Sequence, residues 1–326
     1  MAEKKLGVGF IGAGGISIIH GEAVLANSKA KLVGIWNRTQ SRAEERAHQL
    51  SCKTYREPKD LVNDPEIDVV FILTNLETHL DFARLAIEKG KHVLIEKPVG
   101  MSVDEIKEIK KCAEKAGVMC MPGHNVIYED GILRIKKMID SGEMGKLTSF
   151  YYLFNAFHSE ELAQLYPGVI RQILTHHIYT MLYLAGNPKQ VMAMKSCLHY
   201  AKLTREDMAM VNLKLENDAL AHLEVSFAAD DLSSDPWTLL IKVLGTEGSA
   251  RYSWQDWVLA KKGITHSRVF VAYPEGIKNE VNHFIDICLN GGEPLSTIDD
   301  AIKAQMIMDA VELSIENNCG VDLKLT

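Results

Sequence analysis

A glycine-rich turn between a buried strand and a helix constrains this chain more than any other feature. Leu6-Gly-Val-Gly-Phe-Ile11 reads as a buried strand, Gly12-Ala13-Gly14-Gly15 as a turn, and residues 16–26 as a helix. That succession opens a crossover of the kind a parallel sheet requires. Gly12 permits the tight turn, and Gly14 lets the backbone approach a pyrophosphate. The helix beginning at Ile16 offers unpaired N–H groups and the positive end of its dipole to phosphates. Ser17 takes the place of the third glycine and is still small enough for close helix–strand packing. Gly12, Gly14, Gly15 and Ile16 are therefore the expected dinucleotide-binding positions.

The alternation continues through the first third of the chain. Strands are expected at 31–36, 68–73, 92–95 and 118–121, closed by Pro122-Gly123. Helices are expected at 41–50, capped by Ser41, and at 80–89, stopped by Gly90. A third runs to Ala116 from Ser102, with Glu105 completing a capping box. The pattern predicts a six-stranded doubly wound nucleotide-binding sheet, of which Leu6–Ile11 and these positions mark five strands. After the second strand, where a carboxylate usually holds the adenosine ribose, the chain reads Trp36-Asn37-Arg38-Thr39. Asn37 removes the charge that repels a 2′-phosphate, and Arg38 can pair with one or stack on adenine. The pair leans slightly to NADP(H). Asn37 also suits the 2′-hydroxyl of NAD(H), which stays open.

Beyond Gly123 the pattern changes to long alternating strands at 147–155, 191–200, 208–215, 219–227, 239–244 and 249–253. A helix at 131–141 precedes them, and one at 170–184, ended by Gly186-Asn187-Pro188, lies between the first two. Helices at 281–289 and 298–317 and a short final strand close the chain. This predicts an antiparallel or mixed sheet with helices on one face. The expected division is residues 1–122 for dinucleotide binding and 123–326 for substrate binding and oligomerisation, and 326 residues suit two domains.

Composition narrows the function. A net charge of −7 provides no basic field for nucleic acid. No apolar run approaches the roughly 18–20 residues that span a bilayer, and the charged start is unlike a signal peptide. Six cysteines are scattered singly, without metal-ligand spacing, as expected of reduced thiols in a cytoplasmic enzyme that needs no metal.

Several motifs carry a more specific pattern. They are Asp68-Val-Val-Phe-Ile-Leu-Thr-Asn75, His79, Gly90-Lys-His-Val-Leu-Ile-Glu96-Lys97-Pro98 and Gly123-His124-Asn125. Ile139-Asp-Ser-Gly-Glu-Met-Gly-Lys146, Gly245-Thr-Glu-Gly-Ser249 and Val321-Asp-Leu323 extend it over essentially the whole chain. The sequence resembles the Gfo/Idh/MocA family of NAD(P)-dependent oxidoreductases, whose members act mainly on sugars, inositols and related polyols. The resemblance implies an N-terminal Rossmann domain and a C-terminal domain on an open-faced, largely antiparallel sheet. It implies that Thr74, Asn75 and His79 line the nicotinamide side and that Glu96 and Lys97 lie beside it. It further implies a cis Lys97–Pro98 bond turning the ammonium into the cleft.

The family's second element is a helix bearing Asp and, four residues later, His. The resemblance places Gln172 at the aspartate and His176 at the histidine, with Leu174 and Tyr179 replacing the usual Gly and second Asp. Positions four apart share a helix face. A register shift of one would substitute Ile173 and His177, and His177 otherwise points away to be packed or solvated. Because Gln172 carries no charge to stabilise imidazolium, His176 is expected to be a weaker base than its relatives' histidine.

Asn125, Asn155, His158 and Arg171 are expected hydroxyl or anion contacts. Tyr151, Phe154 and Phe157 read as core or interface, as do Trp237, Trp254 and Trp257. Asp230, Asp231 and Asp235 read as a solvated loop. The expected reaction transfers hydride between nicotinamide and a carbinol or ketone of a sugar, inositol or cyclic polyol. His176 would be the base, Lys97 would stabilise the alkoxide, and Gln172 would orient both. The alternatives are an NAD-dependent glycosidase working by transient oxidation and elimination, and a non-catalytic cofactor-binding regulator. A homo-oligomer, dimer or tetramer, is expected.

Overall fold

The computed structural model describes residues 5–227, 237–254, 259–261, 264–266 and 269–325. Asp230, Asp231, Asp235 and Trp257 lie outside the described residues, as does the side chain of Trp237. The chain forms two compact units, Met1–Tyr128 with Pro274–Ile302, and Glu129–Tyr273 with Lys303–Thr326. The division is thus discontinuous, unlike the single cut expected after residue 122.

In the first unit, β1 (Leu6–Ile11), α1 (Ile16–Ala26), β2 (Ala30–Trp36), α2 (Gln40–Leu50), β3 (Lys53–Thr54) and α3 (Pro58–Asn63) form one half. The other half is β4 (Val69–Ile72), α4 (His79–Ile87), β5 (His92–Glu96), α5 (Val103–Ala116) and β6 (Cys120–Gly123). The strand order is β3-β2-β1-β4-β5-β6, and all neighbours pair in parallel. All six residues of β1 are buried, as a strand with helices over both faces must be. The order reverses between β1 and β4, so the crevice for a ligand opens beyond their C-terminal ends.

Local chemistry sets the helix ends. The Ser102 hydroxyl accepts the Glu105 N–H at 3.3 Å, and the Glu105 carboxylate returns to the Met101 N–H at 2.8 Å. Ser41 does not cap α2; the helix starts at Gln40 after Thr39, which makes no side-chain cap. The strand β3 was not among those marked in the sequence, because two exposed residues carry no apolar period.

The second unit begins with α6 (Asp130–Asp140), β7 (Leu147–Ala156) and α7 (Glu160–Ala163). A π-helical turn, Ile170–Leu174, then leads into α8 (Thr175–Ala185). The strands β8 (Pro188–Ser196), β9 (Met208–Leu215), β10 (Leu220–Ser226), β11 (Trp237–Gly245) and β12 (Ser249–Ser253) follow. After a small hairpin of β13 (Leu259–Lys261) and β14 (Ile264–His266), the chain passes into the first unit within α9 (Val269–Asn290) and returns within α10 (Ile298–Asn317) to reach β15 (Val321–Asp322). The seven-stranded sheet has the order β12-β11-β7-β10-β9-β8-β15. Its pairs are antiparallel except β7 with β10.

Alternation sorts the two faces of this sheet. Phe150, Tyr152 and Phe154 of β7 are buried with Val191 and Ala193 of β8 and Val211 and Leu213 of β9. Tyr151, Met192, Met194, Met210 and Leu220 are exposed on the opposite face. The strand expected over 191–200 ends at Ser196, because the Asp207 carboxylate takes the N–H groups of Leu198 and His199 at 3.0 and 2.7 Å. The helix expected over 170–184 is regular only from Thr175.

Candidate active site

The first unit builds a phosphate cradle from the backbone. Gly12 has φ +118°, and a Cβ there would stand 2.5 Å from the Leu73 carbonyl oxygen, so only glycine fits. The Asn37 Oδ1 accepts the Ala13 N–H at 3.1 Å while its amide donates to the Thr39 carbonyl at 3.1 Å. Ser17, fully buried, donates from its hydroxyl to the Gly14 carbonyl at 2.6 Å. The inner side of the turn is therefore locked. Its outer side is open, since nothing stands within 4 Å of a Cβ built at Gly14 or Gly15. The first N–H groups of α1, beginning at Ile16, follow directly. This arrangement fits a dinucleotide pyrophosphate. Arg38 is exposed just after β2. Asn37 spends both polar ends inside the turn, a role that the sequence did not suggest.

The ends of β4 and β5 form the next part. Thr74 is hydrogen-bonded to the Thr78 hydroxyl at 2.8 Å, and Asn75 is exposed. His79, expected to line the nicotinamide side, is buried with its ring nitrogens 3.0 Å from the Pro98 carbonyl and 3.1 Å from the Thr74 carbonyl. It braces the Thr74 turn against the segment following Lys97, and burial lowers its pKa. The Lys97–Pro98 bond is cis.

Glu96 and Lys97 sit where β5 ends. Burial alone would raise the Glu96 carboxyl, but the hydrogen bond to His20, and then the charge of Lys97, hold it below the usual range. His20, wholly buried on α1, reaches Glu96 Oε1 with Nε2 at 3.0 Å, and Glu96 Oε2 accepts the Lys97 N–H at 3.0 Å. Burial pushes the Lys97 ammonium down to about 8, opposed by the Glu96 charge. His124, hydrogen-bonded through Nδ1 to the Ser296 hydroxyl, is held at about 3 by burial and then by the charge of Lys97. Asn125 is buried in the 3₁₀ turn that follows.

His20 and Ser296 were missed in the sequence. His20 had a signal: Ser17, His20, Gly21 and Val24 make a helical stripe, and all are buried.

In the second unit the π turn carries Arg171 and Gln172. Arg171, expected as an anion contact, is instead committed to α10. Its guanidinium pairs with the Glu312 carboxylate, at 2.7 Å from Nε, and with Asp309 at 3.0 Å. Gln172 is partly exposed. A π turn brings residues five apart into register, so the four-residue spacing argument for Gln172 and His176 does not hold through it.

His176 is nearly buried, and its Nδ1 lies 2.7 Å from the Tyr179 hydroxyl. His177 is packed, stacking on Tyr152 at 3.9 Å between ring centroids, with Nε2 on the Glu224 carbonyl at 3.0 Å. Burial keeps it neutral, at about 3. Asn155 is buried on β7, and its Oδ1 has no hydrogen-bond partner among the described residues, as suits a ligand contact. The His158 ring leans against Tyr166 and Phe227. Among the described residues, no group of three or more His, Cys, Asp or Glu side chains is arranged to hold a metal, and no helix is long and apolar enough to cross a membrane.

A glycine cradle at the switch point of a 3-2-1-4-5-6 sheet, with a lysine at the adjacent strand end, defines the first unit as a dinucleotide-binding Rossmann domain. A family model described as "Oxidoreductase family, NAD-binding Rossmann fold" matches residues 6–124, and the GFO/IDH/MocA C-terminal domain matches residues 132–251. The chain belongs to the Gfo/Idh/MocA family of NAD(P)-dependent oxidoreductases.

It is 25% identical to the NAD(+)-dependent scyllo-inositol 2-dehydrogenase of Bacillus subtilis (strain 168), covering 98% of this chain and 97% of the relative. It is 28% identical to an NADP(+)-dependent scyllo-inositol 2-dehydrogenase of the same organism, over 58% of this chain and 54% of that one. The fold matches the crystal structure of myo-inositol 2-dehydrogenase from Lactobacillus plantarum with a TM-score of 0.88 at 21% identity, covering 98% and 100% of the two chains.

Proposed function

We propose that this protein transfers hydride between NAD(P) and a carbinol, or the corresponding ketone, of a sugar, inositol or related cyclic polyol. The observation that carries the reading is Lys97: its backbone N–H donates to the Glu96 carboxylate at the strand end, and burial lowers its ammonium to about 8. Such a group donates a strong hydrogen bond to a developing alkoxide. The relatives' names, scyllo-inositol 2-dehydrogenases, agree with a cyclic polyol.

In this reading Gly12, Gly14, Gly15 and Ile16 hold the pyrophosphate on a turn braced by Asn37, Arg38 meets the adenosine ribose, and Thr74, Asn75 and Glu96 line the nicotinamide side. Bound NAD(P) supplies the nicotinamide C4 that takes or returns hydride. Lys97 holds the substrate oxygen and stabilises its charge. His176, with Nδ1–H donating to the Tyr179 hydroxyl, uses Nε2 to take the hydroxyl proton in oxidation and to return it in reduction. Gln172, Asn125, Asn155 and His158 orient the remaining hydroxyls. Arg38 favours NADP(H).

The exposed apolar face of the seven-stranded sheet, with Met192, Met194, Met210 and Leu220, supports a homo-oligomer. A panel of inositols, aldoses and keto sugars, assayed with both cofactors by nicotinamide absorbance, tests the function. Cofactor-linked turnover of a cyclic polyol is expected; no absorbance change across the panel rejects it.

A further inference from the structure

Glu280 lies on α9 within the first unit and is wholly buried, and neither carboxyl oxygen has a hydrogen-bond partner among the described residues. His20 is equally buried and shows the same defect at one atom: Nε2 meets Glu96, while Nδ1 has no partner among the described residues. Buried polar groups rarely stay unsatisfied, and of those in this unit Glu280 and His20 lie on elements that pack together.

The packing brings them together. Phe284, one helical turn beyond Glu280, lies 5.9 Å from Phe71 between ring centroids, and Phe71 lies 5.7 Å from the His20 ring. The same face of α9 therefore looks toward α1 and β4. Burial, and after it the charge of Glu96, raises the Glu280 carboxyl well above its usual range, which favours its protonated form.

We propose that Glu280 is a positioning residue for Lys97: its carboxyl, His20 and Glu96 form a buried chain that fixes the charge beside the lysine. The proposal rests on the assignment of Lys97 to the reacting oxygen. The protonated Glu280 donates to His20 Nδ1, His20 Nε2–H donates to Glu96 Oε1, and Glu96 Oε2 accepts the backbone N–H of Lys97. A side-chain rotation or one buried water completes the first link. His20 Nδ1 and one Glu280 oxygen then have a partner, and one carboxylate charge stays on Glu96. The other titratable groups facing this chain are His79, which feels the charge of Glu96, and His124, which feels that of Lys97. Both are held neutral by burial, so the charge next to Lys97 is decided by Glu96 and Glu280.

Two measurements on the full chain test this without requiring turnover. Nitrogen NMR of histidine-labelled protein, with His20 assigned through His20→Gln, should show the ring carrying its proton on Nε2 and none on Nδ1. A ring protonated at Nδ1, or an imidazolium, overturns the proposal. Competitive acetylation of Lys97, read by peptide mass spectrometry, gives its titration. Glu280→Leu should move that titration down by about one unit or more, because the broken chain no longer fixes the Glu96 carboxylate charge beside the ammonium. Glu280→Gln, which still donates, should leave it near wild type. An unmoved titration in Glu280→Leu, or an equal shift in both variants, overturns it. The tautomer measurement is made on wild type and stands even where Glu280→Leu does not fold. Turnover surviving in Lys97→Ala would overturn the assignment of Lys97 alone, and these two measurements would still decide the role of Glu280.

Discussion

The Nδ1 atom of His176 lies 2.7 Å from the hydroxyl of Tyr179, three residues along the same helix. A phenol at this distance orients the imidazole without supplying charge, where a carboxylate would stabilise the imidazolium. Tyr179→Asp should therefore move the acid limb of kcat/KM to higher pH, and Gln172→Asp should act in the same direction. Tyr179→Phe should lower kcat with little change in cofactor KM. The pH–rate profiles of the three variants decide. An acid limb that stays put in Tyr179→Asp would mean that it belongs to another group.

Lys97 predicts a basic limb. Its ammonium is charged below about 8 and neutral above, so turnover dependent on alkoxide stabilisation should fall as pH rises through that value. Lys97→Ala should slow hydride transfer by about 10²–10⁴-fold. The same shift has a sign for stability. Between about 8 and 10.5 the unfolded chain binds a proton that the folded one lacks, so stability rises with pH across that window. Below it, the charged buried lysine opposes folding in full. Urea unfolding of wild type and Lys97→Met on both sides of about pH 8 should show this slope in the wild type only.

Gly12→Ala should fail at the cradle. Its φ of +118° and a Cβ 2.5 Å from the Leu73 carbonyl oxygen force the backbone apart. A loss of about 1–3 kcal/mol in stability is expected, together with weaker NAD(P) binding in a fluorescence titration. Cofactor affinity equal to wild type would remove the cradle from the binding site.

Arg171→Met separates structure from binding. The guanidinium joins the π turn to Glu312 and Asp309, partly buried, so its loss should cost about 1–2 kcal/mol, between surface and buried ion pairs. Thermal unfolding should register that loss while the polyol KM holds. A large rise in KM at unchanged stability would return Arg171 to the substrate.

Arg38→Ala should weaken NADP(H) more than NAD(H), by about tenfold, as expected for one charge-assisted contact to a 2′-phosphate. Titrating both cofactors into wild type and variant measures the ratio. Equal losses for the two would place Arg38 on a part that they share.

The fold was legible where periodicity or turn chemistry is local. The strand running into Gly12, the capping pair Ser102 and Glu105, and the alternation of β7 each depend on neighbours a few residues away. The misread elements depend on distant partners. The strand β8 stops early because Asp207 captures two backbone N–H groups. The π turn comes just after Val169, whose N–H donates to the Glu206 carbonyl at 3.2 Å, and no helical period in the sequence marks either event.

The order of residues alone determined the glycine turn, the Glu96-Lys97-Pro98 strand end and the switch from parallel to antiparallel pattern, since each is written in consecutive positions. Only the tertiary structure decided what those side chains face. It committed Arg171 to Glu312, set His79 against two carbonyls, and joined His20 to Glu96 across 76 positions of chain. The physical reason is range: backbone conformation answers to near neighbours, whereas burial, charge and hydrogen-bond partners are set by whichever elements the fold brings against one another.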